Sequence, residues 1–182
     1  MEYPQRAAPD LHVLLDLFYE SQNELGEFVE SDPPSLPAVF RELLVHDAHM
    51  TVTLEQHHGC PVDVAVLKNH TTESHYSRKI LLTRQTDGKV VQYGIVRLNL
   101  DYLGPDVREE IESQEAPLGR ILIEHDVLRT VKLLSIWKIN PGSELRQLFN
   151  LENSAPCFGR TALIYCNGVI AVELLEIVAP EE

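Results

Sequence analysis

Thr161-Ala162-Leu163-Ile164-Tyr165-Cys166-Asn167-Gly168-Val169-Ile170-Ala171-Val172-Glu173-Leu174-Leu175-Glu176-Ile177-Val178 decides the fold. Asn-Gly between two apolar runs is the strongest short-range hairpin signal, because both central residues of a type I′ turn need positive φ. Side chains alternate along a strand, so Ile170, Val172, Leu174, Glu176 and Val178 share one face, and Ala171, Glu173, Leu175 and Ile177 share the other. Both faces are mostly apolar, which predicts an inner strand covered on each side. A carboxylate at Glu176 on such a face is costly unless it is paired or hydrogen-bonded. It is either a structural carboxylate held by an arginine, a strand end reaching solvent, or an acid, base or acceptor in a water-poor pocket.

A second hairpin lies upstream, where 77–84 and 89–98 flank Asp87-Gly88. If those two residues form the turn, Thr86 pairs with Lys89 and Arg78 falls opposite Arg97. Like charges directly across a strand pair repel. Two facing arginines therefore ask for an anion between them, and a dicarboxylate suits because guanidinium binds carboxylate bidentately. The alternative is that these strand ends fray and both arginines meet surface acids.

Helical periodicity covers 10–22 behind a capping Asp10, 37–44, a short stretch within 46–56, 105–113, 117–123 and 143–149. Residues 30–37, with three prolines, read as a loop, as do 150–158. Residues 62–67 and 128–139 lean towards strand. The expected class is α+β, a mainly antiparallel sheet of about five or six strands flanked by helices.

The 182 residues suit one domain over 1–182 with a single core. Net charge is −13, from 28 acidic and 15 basic residues, which argues against a nucleic-acid partner needing clustered Lys and Arg. A local arginine cluster can still make an anion pocket. No apolar run approaches the roughly 20 residues of a membrane span. The first residues lack the layout of a signal peptide. Cys60, Cys157 and Cys166 are odd in number and form no CxxC, so neither a disulfide framework nor a zinc site is indicated, and a cytoplasmic location is expected.

GxSxG, GxxxxGK[ST] and GxGxxG are all absent. His46-x-x-His49 with Asp47, and His57-His58 beside Cys60, have no recognised metal-ligand spacing and would each need a further ligand. They read as solvated or helix-end histidines. No metal or organic cofactor is expected.

Four segments, in order, resemble the chorismate–pyruvate lyase family, including its divergent lyase-like branch. Residues 43–51 (Leu-Leu-Val-His-Asp-Ala-His-Met-Thr) resemble the family's leucine-rich helix and Ser-Met-Thr-like turn. Residues 76–82 resemble its Arg-x-Ile-Leu-Leu strand, 116–122 carry its Pro-Leu-Gly-Arg motif, and 159–180 resemble its closing hairpin with Glu176 four residues before Pro180. The resemblance implies an antiparallel sheet flanked by helices, with an internal ligand cavity under flap-like helices. It implies elimination of pyruvate from chorismate to give 4-hydroxybenzoate or a related hydroxybenzoate, feeding quinone or aromatic secondary-metabolite biosynthesis. Carried over by position, Arg78 and Glu176 would be catalytic, Arg78 binding a carboxylate and Glu176 facing the ring hydroxyl as proton acceptor. Backbone amides near Leu118 and Met50 would hold carboxylate oxygens, and Arg97 would join the substrate-binding set. His46 and His49 lie where the flap should cover the ligand.

The first reading is therefore a carbon–oxygen lyase acting on a small carboxylate. The alternative is a non-catalytic binding protein for an aromatic carboxylate, since the fold also resembles the effector-binding domain of one class of bacterial transcription regulators. Those carry a winged-helix domain ahead of it, which the acidic, proline-broken residues before the shared region do not resemble. A purely structural protein would leave the charged residues on apolar strands unexplained.

Overall fold

A computed structural model describes residues 10–127 and 129–181. Residues 1–9, Leu128 and Glu182, which the expected domain and the expected strand from Leu128 include, lie outside the described residues. The elements run α1 (Leu11–Asp16), β1 (Gly26–Ser31), α2 (Ala38–Leu44), α3 (Met50–His58), β2 (Val62–Thr71), β3 (His75–Arg84), β4 (Val90–Asn99), α4 (Pro105–Ser113), α5 (Leu118–Glu124), β5 (Arg129–Pro141), α6 (Ser143–Leu148), β6 (Cys157–Cys166) and β7 (Val169–Val178). The seven strands form one antiparallel sheet in the order β1-β5-β6-β7-β4-β3-β2. The α+β class holds.

β7 lies in the middle of the sheet, as its two apolar faces require. Cys166 pairs with Val169 around Asn167-Gly168, whose φ angles of 51° and 82° are those of the primed turn. One face of β7 carries Leu175 and Ile177 into a core with Leu14 and Leu15 of α1, Tyr93, and Leu145 of α6. The other face meets two cores. Val172 and Leu174 pack with Ile111 of α4 and Ile121 and Leu122 of α5, while Val178 packs with Phe40 of α2 and Leu54 of α3. Among the described residues the buried apolar side chains thus gather in three clusters against the one sheet.

The Asp87-Gly88 hairpin departs from expectation. Arg84 and Lys89 close a four-residue loop, with Arg84 N–H donating to the Lys89 carbonyl at 2.9 Å and Gly88 N–H to the Arg84 carbonyl at 2.8 Å. Asp87 is held inside it by Arg84 and by the Lys89 amide. A bulge between Leu82 and Thr83 shifts the register again, so Arg78 pairs with Val96 and Ser77 with Arg97. A one-residue slip moves a side chain to the other face of the sheet. Arg78 and Arg97 therefore point to opposite faces, and the expected facing pair does not form.

β1 was not foreseen, and Glu30 and Ser31, expected in a loop, are its last residues. Its sequence, Gly-Glu-Phe-Val-Glu-Ser, is that of a blunted edge strand, charged and short. Phe28 anchors it by an edge-on contact with Trp137 of β5, ring centroids 6.2 Å apart. Among the described residues no helix is long and apolar enough to cross a membrane.

Candidate functional site

A small cavity opens where the two cores on the helical face of the sheet meet. Its floor follows from register. Across the strands run three rows: Leu82, Gln92, Val178; Ile80, Gly94, Glu176, Arg160; and Arg78, Val96, Leu174. At Gly94 in the middle row Ile80 packs against the backbone, since a Cβ there would meet Ile80 Cγ1 at 3.3 Å. The roof is the first turn of α3, with Met50 and Thr51, and the start of α5, with Pro117, Leu118 and Gly119. The roof pieces touch through Gly119, where a Cβ would lie 3.0 Å from Thr51 Oγ1 and 3.1 Å from His49 Cβ. Arg120 ties α5 to α3 through Glu55 and to β2 through the Val62 carbonyl at 3.1 Å. Each residue of Pro117-Leu118-Gly119-Arg120 thus serves the roof.

Arg78 lies on the floor with 0% of its surface exposed, and Nε, Nη1 and Nη2 have no hydrogen-bond partner. Burial lowers the guanidinium pKa below its ordinary value, and the Tyr76 phenol favours its charge without meeting hydrogen-bond geometry at any nitrogen. Gln92, 2% exposed, has its side-chain oxygen unpartnered on the same cavity. Buried polar groups are otherwise almost always satisfied, and an unpaired buried charge is the most costly exception. The two orphans are complementary to one kind of molecule, an anion that also carries a hydrogen-bond donor.

Glu176 is not free. Arg160, 0% exposed, donates from Nε to Glu176 Oε2 at 2.7 Å. Its Nη1 and Nη2 donate to the His46 carbonyl at 3.0 Å, the Leu44 carbonyl at 3.3 Å and the Ala48 carbonyl at 3.1 Å. Arg160 therefore fastens the turn between α2 and α3 to the sheet. His46 Nδ1 accepts from the Ala48 amide at 3.1 Å and Nε2 donates to the Leu43 carbonyl at 2.7 Å, the arrangement of a neutral ring. Burial and the Arg160 guanidinium lower the His46 pKa. His49 precedes α3 and accepts at Nε2 from Arg129 Nε at 2.7 Å. Burial, with Arg129 and Arg160 beside it, holds the His49 pKa down at about 4.

Of the residues singled out in the sequence, Arg78, Glu176, Met50 and Leu118 line this one cavity. Arg97 does not. It bonds Glu173 at 3.2 Å beside an open recess that His75 and Asn99 also line. Gln92 and Arg160 were missed as site residues. Gln92 is a lone polar residue between Val91 and Tyr93, and Arg160 a lone charge at the head of an apolar strand. A larger recess of about 690 Å3 lies outside the roof, between His49 and Val52 on one side and Ile123, Val127, Arg129 and Val131 on the other. It is open to solvent, and the described buried polar atoms without partners all sit in the smaller cavity or on its floor.

No protein-family profile matches the chain, and no curated protein sequence is significantly similar to it. Solved structures do share its fold. PhnF from Mycobacterium smegmatis is 14% identical with a TM-score of 0.50, covering 72% of this chain and 64% of the PhnF chain. The chain thus spans less than two thirds of PhnF. The separate effector domain of PhnF is 14% identical with a TM-score of 0.51, covering 72% of this chain and 88% of that domain. The ligand-binding domain of a protein assigned to the GntR family of transcriptional regulators, from Bordetella bronchiseptica, is 13% identical with a TM-score of 0.48, covering 66% and 87%. The fold is the chorismate lyase-like one, α+β with a seven-stranded antiparallel sheet. The expectation of a carbon–oxygen lyase is corrected by the PhnF match, in which the part that shares this fold is solved as an effector domain. Glu176, expected to accept a proton from substrate, bonds Arg160 through Oε2 and lines the cavity.

Proposed function

We propose that this chain is a non-catalytic binding module for a small organic anion, of the aromatic carboxylate class, seated on Arg78. The observation that carries this is a fully buried guanidinium with none of its nitrogens partnered. A carboxylate would take two of those nitrogens bidentately, and charge-assisted bonds of this kind are about twice as strong as neutral ones. A hydroxyl or amine elsewhere on the ligand would answer Gln92. Ile80, Leu82, Val96, Ile164 and Leu174 would enclose an apolar body between the two polar contacts. Thr51 and its neighbours at the start of α3, which no side chain caps, would face the anion.

The cavity is about 30 Å3 as it stands, room for about two waters. An organic anion therefore enters only when the roof lifts. A cytoplasmic setting accords with Cys60, Cys157 and Cys166, which are buried free thiols.

Calorimetric titration with benzoate, 4-hydroxybenzoate, acetate and inorganic phosphate tests the reading. Saturable binding of at least one carboxylate, lost in Arg78→Met, is expected. Binding of none, or binding that survives Arg78→Met, overturns it.

A further inference from the structure

His57 and His58, the last two residues of α3, meet Glu181, which follows β7 in the chain. Each offers one ligand atom, and the three atoms lie within 4.8 Å of one another. His57 Nε2 and Glu181 Oε1 are 3.1 Å apart, and the two imidazoles stand edge to face with centroids 4.8 Å apart. We propose that these three side chains form a binding site for a divalent transition metal of the zinc and nickel class. Two imidazoles and a carboxylate are a donor set for such ions and not for calcium or magnesium, which take oxygen.

The geometry needs little adjustment. Metal–ligand bonds of about 2 Å place tetrahedral ligand atoms about 3.3 Å apart. The His57–Glu181 pair, at 3.1 Å, already stands near that separation, and the partly exposed His58 ring needs to swing by at most about 1.5 Å. A single His–Glu hydrogen bond would not bring a second imidazole to the same carboxylate. Arg84, which lines the recess together with Lys89, is bound to Asp87, so its charge is largely answered. The net charge of −13 favours accumulation of a cation at the surface.

The site has a structural consequence. α3 begins at the cavity roof and ends at His58, and β7 carries Glu176 on the cavity floor. A metal held between His57, His58 and Glu181 would bind the far end of the roof helix to the segment leaving the floor strand. Sequence spacing alone left this histidine pair without a third ligand; Glu181 is 124 residues from His57. The inference is independent of the anion reading.

The test uses the full chain without a polyhistidine tag, stripped with chelator and titrated with Zn2+ by calorimetry. One equivalent is expected to bind in the micromolar range, weakened at least about tenfold by Glu181→Gln and by His58→Ala. Hydrogen exchange of residues 50–58 should slow with Zn2+ in the wild type and not in Glu181→Gln. Glu181→Gln replaces an exposed carboxylate by its isostere, so it keeps the test sound should His58→Ala disturb α3. No binding below millimolar Zn2+, or stoichiometric binding that Glu181→Gln leaves unchanged, overturns the proposal.

Discussion

Arg160 and Glu176 stand directly opposite each other on β6 and β7, and Arg160 Nε reaches Glu176 Oε2 at 2.7 Å with both side chains almost wholly buried. This pairing makes a carboxylate tolerable on the central strand. It also sets up a contrast on the same floor: one buried arginine has its acid and three carbonyls, and Arg78 has no acid and no hydrogen bond, only the Tyr76 phenol nearby. The difference between them separates a structural charge from one that waits for a ligand.

Removing one member of a buried pair leaves an uncompensated charge, which typically costs about 3–5 kcal/mol. Glu176→Leu is expected to lose that much in urea denaturation. The double variant Glu176→Leu with Arg160→Met should recover most of it, short of the carbonyl contacts to 44–48 that Arg160 also makes. Additive losses would show that the two residues act separately.

Arg78→Met should do the opposite to the unliganded protein. Replacing an unpaired buried charge by an apolar chain of similar length is expected to stabilise by about 1–4 kcal/mol, a rise in Tm of about 2–4 °C per kcal/mol. The same variant should show no thermal shift with any carboxylate that shifts the wild type. A lower Tm would mean that Arg78 already has a partner in solution.

Gly119→Ala adds a methyl 3.0 Å from Thr51 Oγ1 and 3.1 Å from His49 Cβ. Overpacking at such a contact costs about 1–3 kcal/mol. Here it should also part α5 from α3. Faster hydrogen exchange at 50–53 and 118–121, with weaker carboxylate binding, is the expected result. An unchanged exchange profile would show that the roof does not depend on this approach.

Acid should weaken the fold through His49. Its folded pKa of about 4 lies below its ordinary 6.5, so between those values the unfolded chain takes up a proton that the folded chain refuses. Stability then falls as pH drops from about 6.5 to about 4, and the loss levels off below that. His46 shifts in the same direction and adds to the slope. His49→Gln, which can still accept from Arg129, should flatten the dependence measured by denaturation across that range. A slope unchanged in the variant would place the titration elsewhere.

Legibility followed the range of the interactions. The closing hairpin was readable because Asn167-Gly168 and strict alternation are local, and they set β7, its two faces and the burial of Glu176. The second hairpin was readable as a hairpin and misread in register, because Asp87 spends its carboxylate on Arg84 and the Lys89 amide and so sits in a four-residue loop. One residue of slip put Arg97 on the wrong face. β1 escaped because an edge strand covered by one neighbour needs no apolar pattern. The carbon–oxygen lyase expectation failed because residues that build the roof and floor fix a fold, and a fold does not imply its chemistry.

By itself the sequence determined the α+β class, the two hairpins, the inner position of the last strand, and that Arg78 and Glu176 belong on apolar strands. These depend on turn dihedrals and period-two alternation, which act over a few residues. Only the tertiary structure decided which charge is answered. Arg160 reaches Glu176 across a strand pair and the 44–48 carbonyls across more than a hundred residues, while Arg78, Gln92 and the roof of α3 and α5 converge from four separate segments. Partnership of buried charges is a property of packing in three dimensions, so no local pattern could assign it.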